Sequence, residues 1–191
     1  MTEIQQNMAD LKIIELILAG DKEAFRVLYN RYKRRYMLTS LRYIKSKSDA
    51  EDVVQDAFVQ IYRDLYQFDQ EKGNFSTWSN RVVINTCLQK LRKKSVLNVF
   101  TDIMEFGQQF SINAMAIENL NLEDLTKLIQ RLPKGYRTVF NLYVIDGYTH
   151  KEISNLLQIS ESTSKTQLMR AKKLLKTDLS KVAYVMSKNY G

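Results

Sequence analysis

The chain has 191 residues, 45% of them hydrophobic and 26% charged, and its formal net charge at pH 7 is +8. A chain of this length forms one large domain or two small ones, and its single cysteine excludes an internal disulfide and agrees with a reducing cytosol. Only one proline and six glycines are present, and no stretch alternates as a strand does for more than a few residues. The sequence therefore predicts an all-α protein.

The N-terminal segment predicts a short helix from about Ala9 to Ala19. Lys12 and Glu15 interrupt its apolar run, and no basic stretch precedes it, so we expect neither a signal peptide nor a membrane span, and a cytoplasmic location. Asp21 is predicted to cap the next helix. The apolar face of the short helix comprises Leu11, Ile14, Leu16 and Leu18.

A long second helix is predicted to have one aromatic and one basic face. The apolar face comprises Phe25, Leu28, Tyr29, Tyr32, Tyr36 and Leu41. The other face carries Arg31, Lys33, Arg34, Arg35, Arg42, Lys45 and Lys47, with no carboxylate between them. Such a run by itself is typical of a solvated surface. It indicates phosphate binding only because a second basic helix follows in the same domain.

The third predicted helix is acidic. Ser48 with Glu51 predicts a capping box at its start, and the residues that follow have the three-and-four spacing of an amphipathic helix. Its apolar positions are Val53, Val54, Ala57, Phe58, Ile61, Tyr62 and Leu65. Its polar positions are Glu51, Asp52, Asp56 and Asp64, against a single Arg63.

A basic helix follows after a turn marked by Gly73 and Asn74. Between residues 76 and 94 the basic side chains meet no acidic residue; they are Arg81, Lys90, Arg92, Lys93 and Lys94. The predicted core positions are Phe75, Trp78, Val82, Leu88 and Leu91. Nucleic acid repels an acidic helix and attracts a basic one. The sequence thus predicts a domain that is held by a protein on one side and by nucleic acid on the other.

Side chains suited to base recognition lie at the start of this basic helix. An aromatic residue beside a turn and a basic helix suits stacking on unpaired bases, although Trp78 is also expected to be partly buried. Asn80, Arg81 and Asn85 lie at or near the face from which base edges would be read, since Asn and Arg bind base edges bidentately.

Composition changes at Ser95. From there to Thr126 the chain has no lysine or arginine, and helical periodicity is lost. We therefore predict a linker at residues 96–117 between two helical domains, residues 1–95 and 118–191. The linker is too rich in Phe, Met and Ile for a freely swinging tether, so it is expected to lie in a groove on a partner or against its own domains.

The second domain has the pattern of a helix-turn-helix. Leu122, Leu125, Leu128, Ile129 and Leu132 mark a helix that Pro133 ends, and a second helix is predicted from Lys134 to Ile145. Thr149 and Glu152 predict a capping box for a short helix, and a tight turn leads to a final helix near Glu161.

The final helix divides into two faces at about 100° per residue. The face predicted to pack comprises Ser164, Leu168, Ala171 and Leu175. The face predicted to enter a major groove comprises Lys165, Thr166, Met169, Arg170 and Lys173. Many helical hairpins do not bind DNA, so this prediction depends on the charge pattern of the whole chain.

In this order, the segments resemble one protein family. DKEAFRVLYNRY, DAEDVVQDAFVQIY, FSTWSNRVVINTCLQKLRK and LPKGYRTVFNLYVIDGYTHKEISNLLQISESTSKTQLMRAKKLL are similar to the motifs of bacterial RNA polymerase sigma factors. More narrowly, the chain resembles the small, two-domain, extracytoplasmic-function (ECF) group of the sigma-70 family. The resemblance covers nearly the whole chain apart from the linker, and it implies core RNA polymerase and promoter DNA as partners, with an anti-sigma protein as a further one.

The resemblance also implies a role for each surface. By position, the residues facing the polymerase β′ clamp would be Asp52, Gln55 and Asp56. Those reading and opening the −10 element would be Lys72, Asn74, Trp78, Arg81 and Asn85. The helix-turn-helix would bind the β flap and read the −35 element through Lys165, Thr166, Met169, Arg170 and Lys173, and the linker would run toward the RNA exit channel. Ser79 replaces a second Trp of primary sigma factors, which implies promoter opening that is less tolerant of sequence.

No catalytic or metal site is predicted. His150, the only histidine, is expected at the surface or near DNA, and Cys87 is expected to be a small core residue. Without a phosphate-binding loop, an HExxH or a CxxC motif, we predict neither enzymatic activity nor a cofactor. Two alternatives stay open. An autonomous helix-turn-helix regulator would act without polymerase but would need a dimerisation helix, and an RNA-binding adaptor would explain only the first domain.

Overall fold

The structure, a computed structural model, describes the backbone of residues 3–97 and 122–189 and the side chains of residues 9–93 and 125–177. These residues form helices and short turns without a strand, in two compact units that lie within residues 1–96 and 97–191. The predicted all-α class with two helical domains is confirmed. Most of the predicted linker lies outside the described residues, whereas residues 96 and 97 end a helix. None of the described helices combines the length and hydropathy needed to cross a bilayer.

The first unit is built around its second helix. Its α-helices are α1 Glu3–Leu18, α2 Lys22–Tyr43, α3 Lys47–Asp64 and α4 Phe75–Leu97. Two 3-10 turns, Leu65–Gln67 and Gln70–Lys72, connect α3 to α4. Both α1 and α3 pack against α2, which places α2 between them.

Aromatic rings fill the core of the first unit. Tyr32 and Tyr36, fully buried on α2, stack with ring centroids 5.3 Å apart. Tyr36 lies 5.0 Å from the ring of Phe58 on α3, and Tyr32 lies 5.4 Å from the ring of Phe75 at the start of α4. Burial raises the pKa of the Tyr36 hydroxyl, because desolvation disfavours the phenolate. Buried aromatic side chains contribute large apolar areas, so this cluster holds α2, α3 and α4 together.

The helix starts were predicted with mixed success. The carboxylate of Asp21 accepts hydrogen bonds of 2.8 and 3.2 Å from two backbone amides of α2, as predicted. For α3 the prediction was wrong by two residues, because Ser46 and not Ser48 is the N-cap. The hydroxyl of Ser46 accepts from the amide of Asp49, and its extended backbone lies just outside the helix. Two serines with the same capping chemistry stand two residues apart, and only the backbone conformation distinguishes them.

Some apolar residues predicted to face the core are exposed instead. Leu16 and Leu18 are 44% and 56% exposed, because Leu16 points away from the buried Ile14 and Ile17, and Leu18 is the last residue of α1. Tyr62 of α3 is 53% exposed at the rim of the core. Amphipathic spacing predicted the right helices but misplaced the edges of their buried faces.

The buried face of α4 also differs from the prediction. Phe75 is fully buried, but Val82 and Leu91 are only partly buried, and Trp78 lies at the edge of the core. The buried stripe comprises Phe75, Ser79, Val83, Ile84, Cys87 and Leu88. The predicted partial burial of Trp78 is confirmed, whereas Val82 and Leu91, predicted to continue toward the core, lie at the edge of the buried stripe. Cys87 is confirmed as a buried core residue.

In the residues that the structure describes, the second unit has four α-helices around a small core. They are α5 Leu122–Arg131, α6 Lys134–Phe140, α7 His150–Leu157 and α8 Glu161–Asn189. A π turn, Asn141–Ile145, follows α6, so the helix predicted from Lys134 to Ile145 is only partly α-helical. The core between α5 and α8 contains Leu128, Leu132, Ala171 and Leu175, whereas Leu125 is 43% exposed, contrary to the prediction.

A buried arginine connects α5 to α6. The guanidinium of Arg137, only 4% exposed, donates hydrogen bonds to the backbone carbonyls of Gln130 (3.1 Å) and Leu132 (3.2 Å). The last carbonyls of a helix have no partner within it, and a cation there also complements the helix dipole. Arg137 therefore fixes the turn around Pro133, which is the N-cap residue of α6 and not part of its first turn.

The helix-turn-helix itself forms as predicted. The Thr149 hydroxyl accepts from the Glu152 amide, and the Glu152 carboxylate accepts from the Thr149 amide in return, which makes the capping box of α7. Gln158 ends α7 in a left-handed conformation with φ of 56°. The left-handed conformation of Gln158 turns the chain sharply, and α8 begins three residues later, at Glu161.

Candidate nucleic-acid and protein interfaces

The outward face of α3 is acidic at its start and apolar at its end. Asp52, Gln55 and Asp56 are all exposed, and Asp56 has no ion-pair partner among the side chains that the structure describes. On the same face, Val59 is 58% exposed, and Tyr66, in the 3-10 turn that follows α3, is 72% exposed. Neither exposed residue was predicted, although the seven-residue spacing of Val59 from Asp52 identifies it as outward. A mixture of charge and exposed aromatic surface is typical of contacts with protein.

Lys90 has acidic partners on another helix, although residues 76–94 themselves contain no acidic residue. Its ammonium lies 3.1 Å from a carboxylate oxygen of Asp52 and 3.5 Å from one of Asp49. The hydrogen bond with Asp52 raises the pKa of Lys90, because it stabilises the charged form. The pair joins α3 to α4 and partly neutralises Asp52, so Asp56 is the less compensated carboxylate of the acidic face.

The basic face of α2 is partly occupied by contacts inside the first unit. Arg31 forms a 2.7 Å salt bridge with the buried Asp10 of α1. Arg35 donates a short hydrogen bond to the hydroxyl of Ser76 at the start of α4. Arg34 is exposed. Two of the predicted phosphate-binding residues thus also hold α1 and α4 against α2.

The loop before α4 holds its predicted binding residues in defined positions. The ammonium of Lys72 lies 3.0 Å from a carboxylate oxygen of Asp69. The hydrogen bond from Lys72 is the main reason why the pKa of the Asp69 carboxyl is lowered. The side-chain oxygen of Asn74 accepts a 2.8 Å hydrogen bond from the amide of Thr77. Gly73 has φ of +149°, a conformation that favours glycine. Asn74 therefore caps α4.

Trp78, Arg81 and Asn85 share one stripe of α4. Trp78 is half-buried, with its ring 5.6 Å from Phe68 and 5.8 Å from Phe75. Arg81 and Asn85 follow at three and seven residues, so they lie above and below each other on the helix, and both are exposed. The structure thus places a fixed indole edge next to two side chains that are able to read bases.

The neighbours of this stripe point elsewhere. The side-chain oxygen of Asn80 accepts a 3.1 Å hydrogen bond from the hydroxyl of Thr39 on α2, which corrects its predicted place near the base-reading face. Ser79 is fully buried, and its hydroxyl donates to the carbonyl of Phe75 at 2.7 Å. Neither residue therefore adds to the outward stripe.

The two faces of α8 are confirmed. The packing face, Ser164, Leu168, Ala171 and Leu175, is buried. The outward face, Lys165, Thr166, Met169, Arg170 and Lys173, is exposed at every position. Met169 is 63% exposed between cationic neighbours, so the face offers an apolar contact together with hydrogen-bond donors. Base edges in a major groove present methyl groups and acceptors that match this combination.

Two contacts that were not predicted from the sequence support α8 from neighbouring elements. Arg170 donates a 3.2 Å hydrogen bond to the hydroxyl of Tyr136 on α6. His150 stacks on Tyr143 at 4.3 Å, and its Nδ1 lies 2.8 Å from the hydroxyl of the buried Ser164. His150 is thus half-buried and connects the start of α7 to α8.

Family models match the two units separately. The model for Sigma-70 region 2 matches residues 28–96, and the model for Sigma-70, region 4 matches residues 122–175. Together they cover more than half of the chain and contain every residue predicted to contact polymerase or DNA. The chain belongs to the sigma-70 family. The family that the sequence motifs indicated is therefore confirmed.

Curated relatives in the sigma-70 family match nearly the full length. The chain is 29% identical over 181 residues to the ECF RNA polymerase sigma factor SigW of Bacillus subtilis, covering 88% of this chain and 95% of that one. It is 27% identical over 183 residues to the ECF RNA polymerase sigma-E factor of Escherichia coli, covering 90% and 95%. The RNA polymerase sigma-H factor of Pseudomonas aeruginosa is 25% identical over 177 residues, covering 87% and 91%. These matches support the assignment to the ECF group.

Solved structures support the fold. CnrH, in complex with the cytosolic domain of CnrY, matches with a TM-score of 0.50 and 24% identity, over 90% of this chain and 97% of that one. The sigma factor RpoE of Bartonella quintana, in complex with the anti-sigma factor NepR, matches with a TM-score of 0.53 and 19% identity, over 82% and 96%. Both likenesses agree with the helical architecture described above.

Proposed function

We propose that this sigma-70 protein binds core RNA polymerase and directs promoter-specific initiation through separate −10 and −35 contacts. The observation that carries the proposal is that the region 2 and region 4 models each match one helical unit. The autonomous regulator is not favoured, because a DNA-binding domain alone would not explain a region 2 match. The RNA-binding adaptor is not favoured either, since it leaves the helix-turn-helix unexplained.

The outward face of α3 is the proposed docking site for the polymerase β′ clamp. Asp52, Gln55 and Asp56 supply acidic and polar contacts, and Val59 and Tyr66 extend the face with apolar surface. Charge complementarity would guide the encounter, while the apolar end would contribute buried area. The acidic face would repel DNA, so it is the part of this unit best suited to a protein partner.

The proposed −10 site comprises the loop before α4 and the stripe that follows it. Lys72 and Arg81 would contact phosphates, and Asn85 would read a base edge. Asn74 and Trp78 would act at the point where an unpaired base leaves the stack. Support comes from the fixed ring of Trp78, since a held aromatic edge is what stacking on a base requires.

The proposed −35 site is the outward face of α8, with Lys165, Thr166, Met169, Arg170 and Lys173. This face is exposed, and the opposite face of α8 is buried in its own unit, which supports insertion of the outward face into a major groove. The same unit is proposed to bind the β flap. The domain boundaries at 95 and 118, and the path of residues 96–117 toward the RNA exit channel, remain proposals that follow from the family resemblance.

The remaining assignments follow from the role of sigma factors. Sigma factors are initiation factors that do not themselves catalyse a reaction, and we propose the same here, with no cofactor. The proposed place of action is the cytoplasm, at the nucleoid, where polymerase meets the chromosome. An anti-sigma protein is a further proposed partner, in keeping with the complex described for RpoE of Bartonella quintana.

Binding to purified core polymerase is the test of this function. The full chain is expected to form a stable complex with core enzyme and to enable transcription from promoters enriched from a randomised template pool. Asp56→Lys should weaken the complex, whereas Glu51→Lys, about 140° round the helix, should not. A chain that binds duplex DNA equally well without polymerase, and does not bind the core enzyme, would instead be an autonomous regulator.

A further inference from the structure

The start of α6 lies directly against the middle of α8. A Cβ added to Gly135 would lie 3.4 Å from the side-chain amide of Gln167, so the side chain of Gln167 on α8 packs over Gly135. One residue on from Gly135, Tyr136 is partly buried against the core cluster that contains Ala171. Its hydroxyl accepts a 3.2 Å hydrogen bond from Nη1 of Arg170. A side chain from outside the helix-turn-helix thus reaches the outward face of α8.

From this geometry we propose that Tyr136 is a positioning residue for promoter reading: it holds the guanidinium of Arg170 in the orientation that reads a base pair of the −35 duplex. The inference rests on the proposed function of Arg170, and it adds a residue of α6 to the determinants of promoter preference. The recognition helix would then not act alone, because a neighbouring helix would set the direction of its principal cation.

The chemistry of the pair permits both contacts at once. A guanidinium has five N–H donors, and the contact with Tyr136 uses one of them on Nη1. The Nε and Nη2 donors stay available as a fork for the O6 and N7 acceptors of a guanine. The phenol acts as acceptor and needs no charge of its own. Tyr136 therefore does not compete with the base for the same donors.

The energetic benefit would come from preorganisation. A free arginine side chain has many rotamers, and binding costs the entropy of selecting one of them. The ring of Tyr136 is itself held by packing, so its hydroxyl is a fixed point and not a second flexible group. A guanidinium that the Tyr136 hydroxyl already orients loses less rotamer entropy when it binds the duplex. It therefore discriminates better against a wrong base pair.

The test uses holoenzyme made from the full chain and core polymerase. Duplexes randomised in the upstream element are selected by the wild-type holoenzyme, and affinity is then measured for the enriched duplex and for each single base-pair substitution in it. Arg170→Ala identifies the base pair that Arg170 reads. Tyr136→Phe removes only the hydroxyl and keeps the packed ring. Tyr143→Phe removes a hydroxyl elsewhere in the same unit and keeps the ring stack on His150, so it is the matched control.

Tyr136→Phe is expected to lower discrimination about three- to ten-fold at the base pair that Arg170 reads, the size of one hydrogen bond, and at no other position. The Tyr136→Phe/Arg170→Ala double variant should match Arg170→Ala alone. The inference is overturned if Tyr136→Phe behaves as Tyr143→Phe does, if its loss is equal at all positions, or if the two losses add, since an additive loss means independent contacts. If Arg170→Ala changes no preference, the proposed role of Arg170 fails as well, which distinguishes that failure from the failure of Tyr136 alone.

Discussion

Lys90 lies 3.1 Å from Asp52, so the basic helix α4 and the acidic helix α3 are joined by an ion pair. The helix that carries the proposed −10 stripe is therefore coupled to the acidic face proposed for polymerase, because the ion pair joins α4 to Asp52 of that face. Asp49 completes the contact at 3.5 Å from the same ammonium. Variants of Asp52 will consequently affect the junction of two helices as well as the acidic face.

Charge reversal separates the two roles of the acidic face. Asp52→Lys with Asp56→Lys should weaken binding to core polymerase while the protein stays folded, since both side chains are exposed. Asp52→Lys alone should also lower the free energy of unfolding by about 0.5–1 kcal/mol, because it removes the pair with Lys90. Asp56→Lys alone should weaken binding without that cost. Urea unfolding and core-binding titrations test both points, and unchanged core affinity in the double variant would remove α3 from the interface.

The same ion pair predicts a dependence of stability on alkaline pH. The pKa of Lys90 is raised above its ordinary value of 10.5 by the hydrogen bond with Asp52. The stabilisation is then fully present below pH 10.5 and is lost as pH rises through the raised pKa. Urea unfolding of the wild type and of Lys90→Met should differ at pH 8 and converge above that pKa. A difference that persists unchanged at the higher pH would mean that Lys90 stabilises through packing and not through charge.

The buried carboxylate of Asp10 should be a main support of α1. It accepts hydrogen bonds from Arg31 at 2.7 Å and from the hydroxyl of Tyr32. Asp10→Asn removes the negative charge that accepts both hydrogen bonds. The substitution should lower the free energy of unfolding by about 1.5–3 kcal/mol. Trp78, the only tryptophan, reports on this unit by fluorescence during urea unfolding. Asp21→Asn is the matched control, because asparagine caps a helix about as well as aspartate.

Asn74 has a capping role that must be separated from any contact with DNA. Asn74→Ala should destabilise the first unit by about 1 kcal/mol, because the amide of Thr77 loses its acceptor. Asn74→Ser keeps a capping oxygen but lacks the NH2 group that would donate a hydrogen bond to a base. Asn74→Ser is therefore expected to unfold at a higher urea concentration than Asn74→Ala and to lose promoter opening. Wild-type opening by the serine variant would assign Asn74 to structure alone.

The two proposed DNA sites should differ in the kind of DNA that each needs. Arg170→Ala should cost about 1–3 kcal/mol in binding to duplex promoter if it makes a bidentate base contact, and it should have little effect once the upstream element is deleted. Asn85→Ala should impair opening on both templates, and a pre-melted −10 region should partly restore it. Asn85 is a cleaner probe than Trp78, whose removal would disturb Phe68 and Phe75. Identical responses of the two variants to both templates would mean a single duplex-binding site.

The sequence by itself determined the helical class, the helix-turn-helix and the outward face of α8. These features depend on local rules, because a helix repeats every 3.6 residues and its caps lie within one turn of its end. Thr149 and Glu152 formed the predicted capping box for this reason. Local rules were least accurate where two choices were locally equal, as with Ser46 and Ser48, and at the edges of buried faces, as with Tyr62 and the stripe of α4.

Only the tertiary structure decided which polar side chains meet. Lys90 pairs with Asp52 across 38 residues, Arg31 with Asp10 across 21, and Arg170 with Tyr136 across 34. The position of each partner depends on how whole helices pack, and packing is set by apolar cores whose composition does not encode which surface charges will face each other. The sequence therefore predicted the faces that we propose for DNA and polymerase, whereas the packing of the helices determined which residues on those faces are exposed, which are paired and which are held by a neighbour.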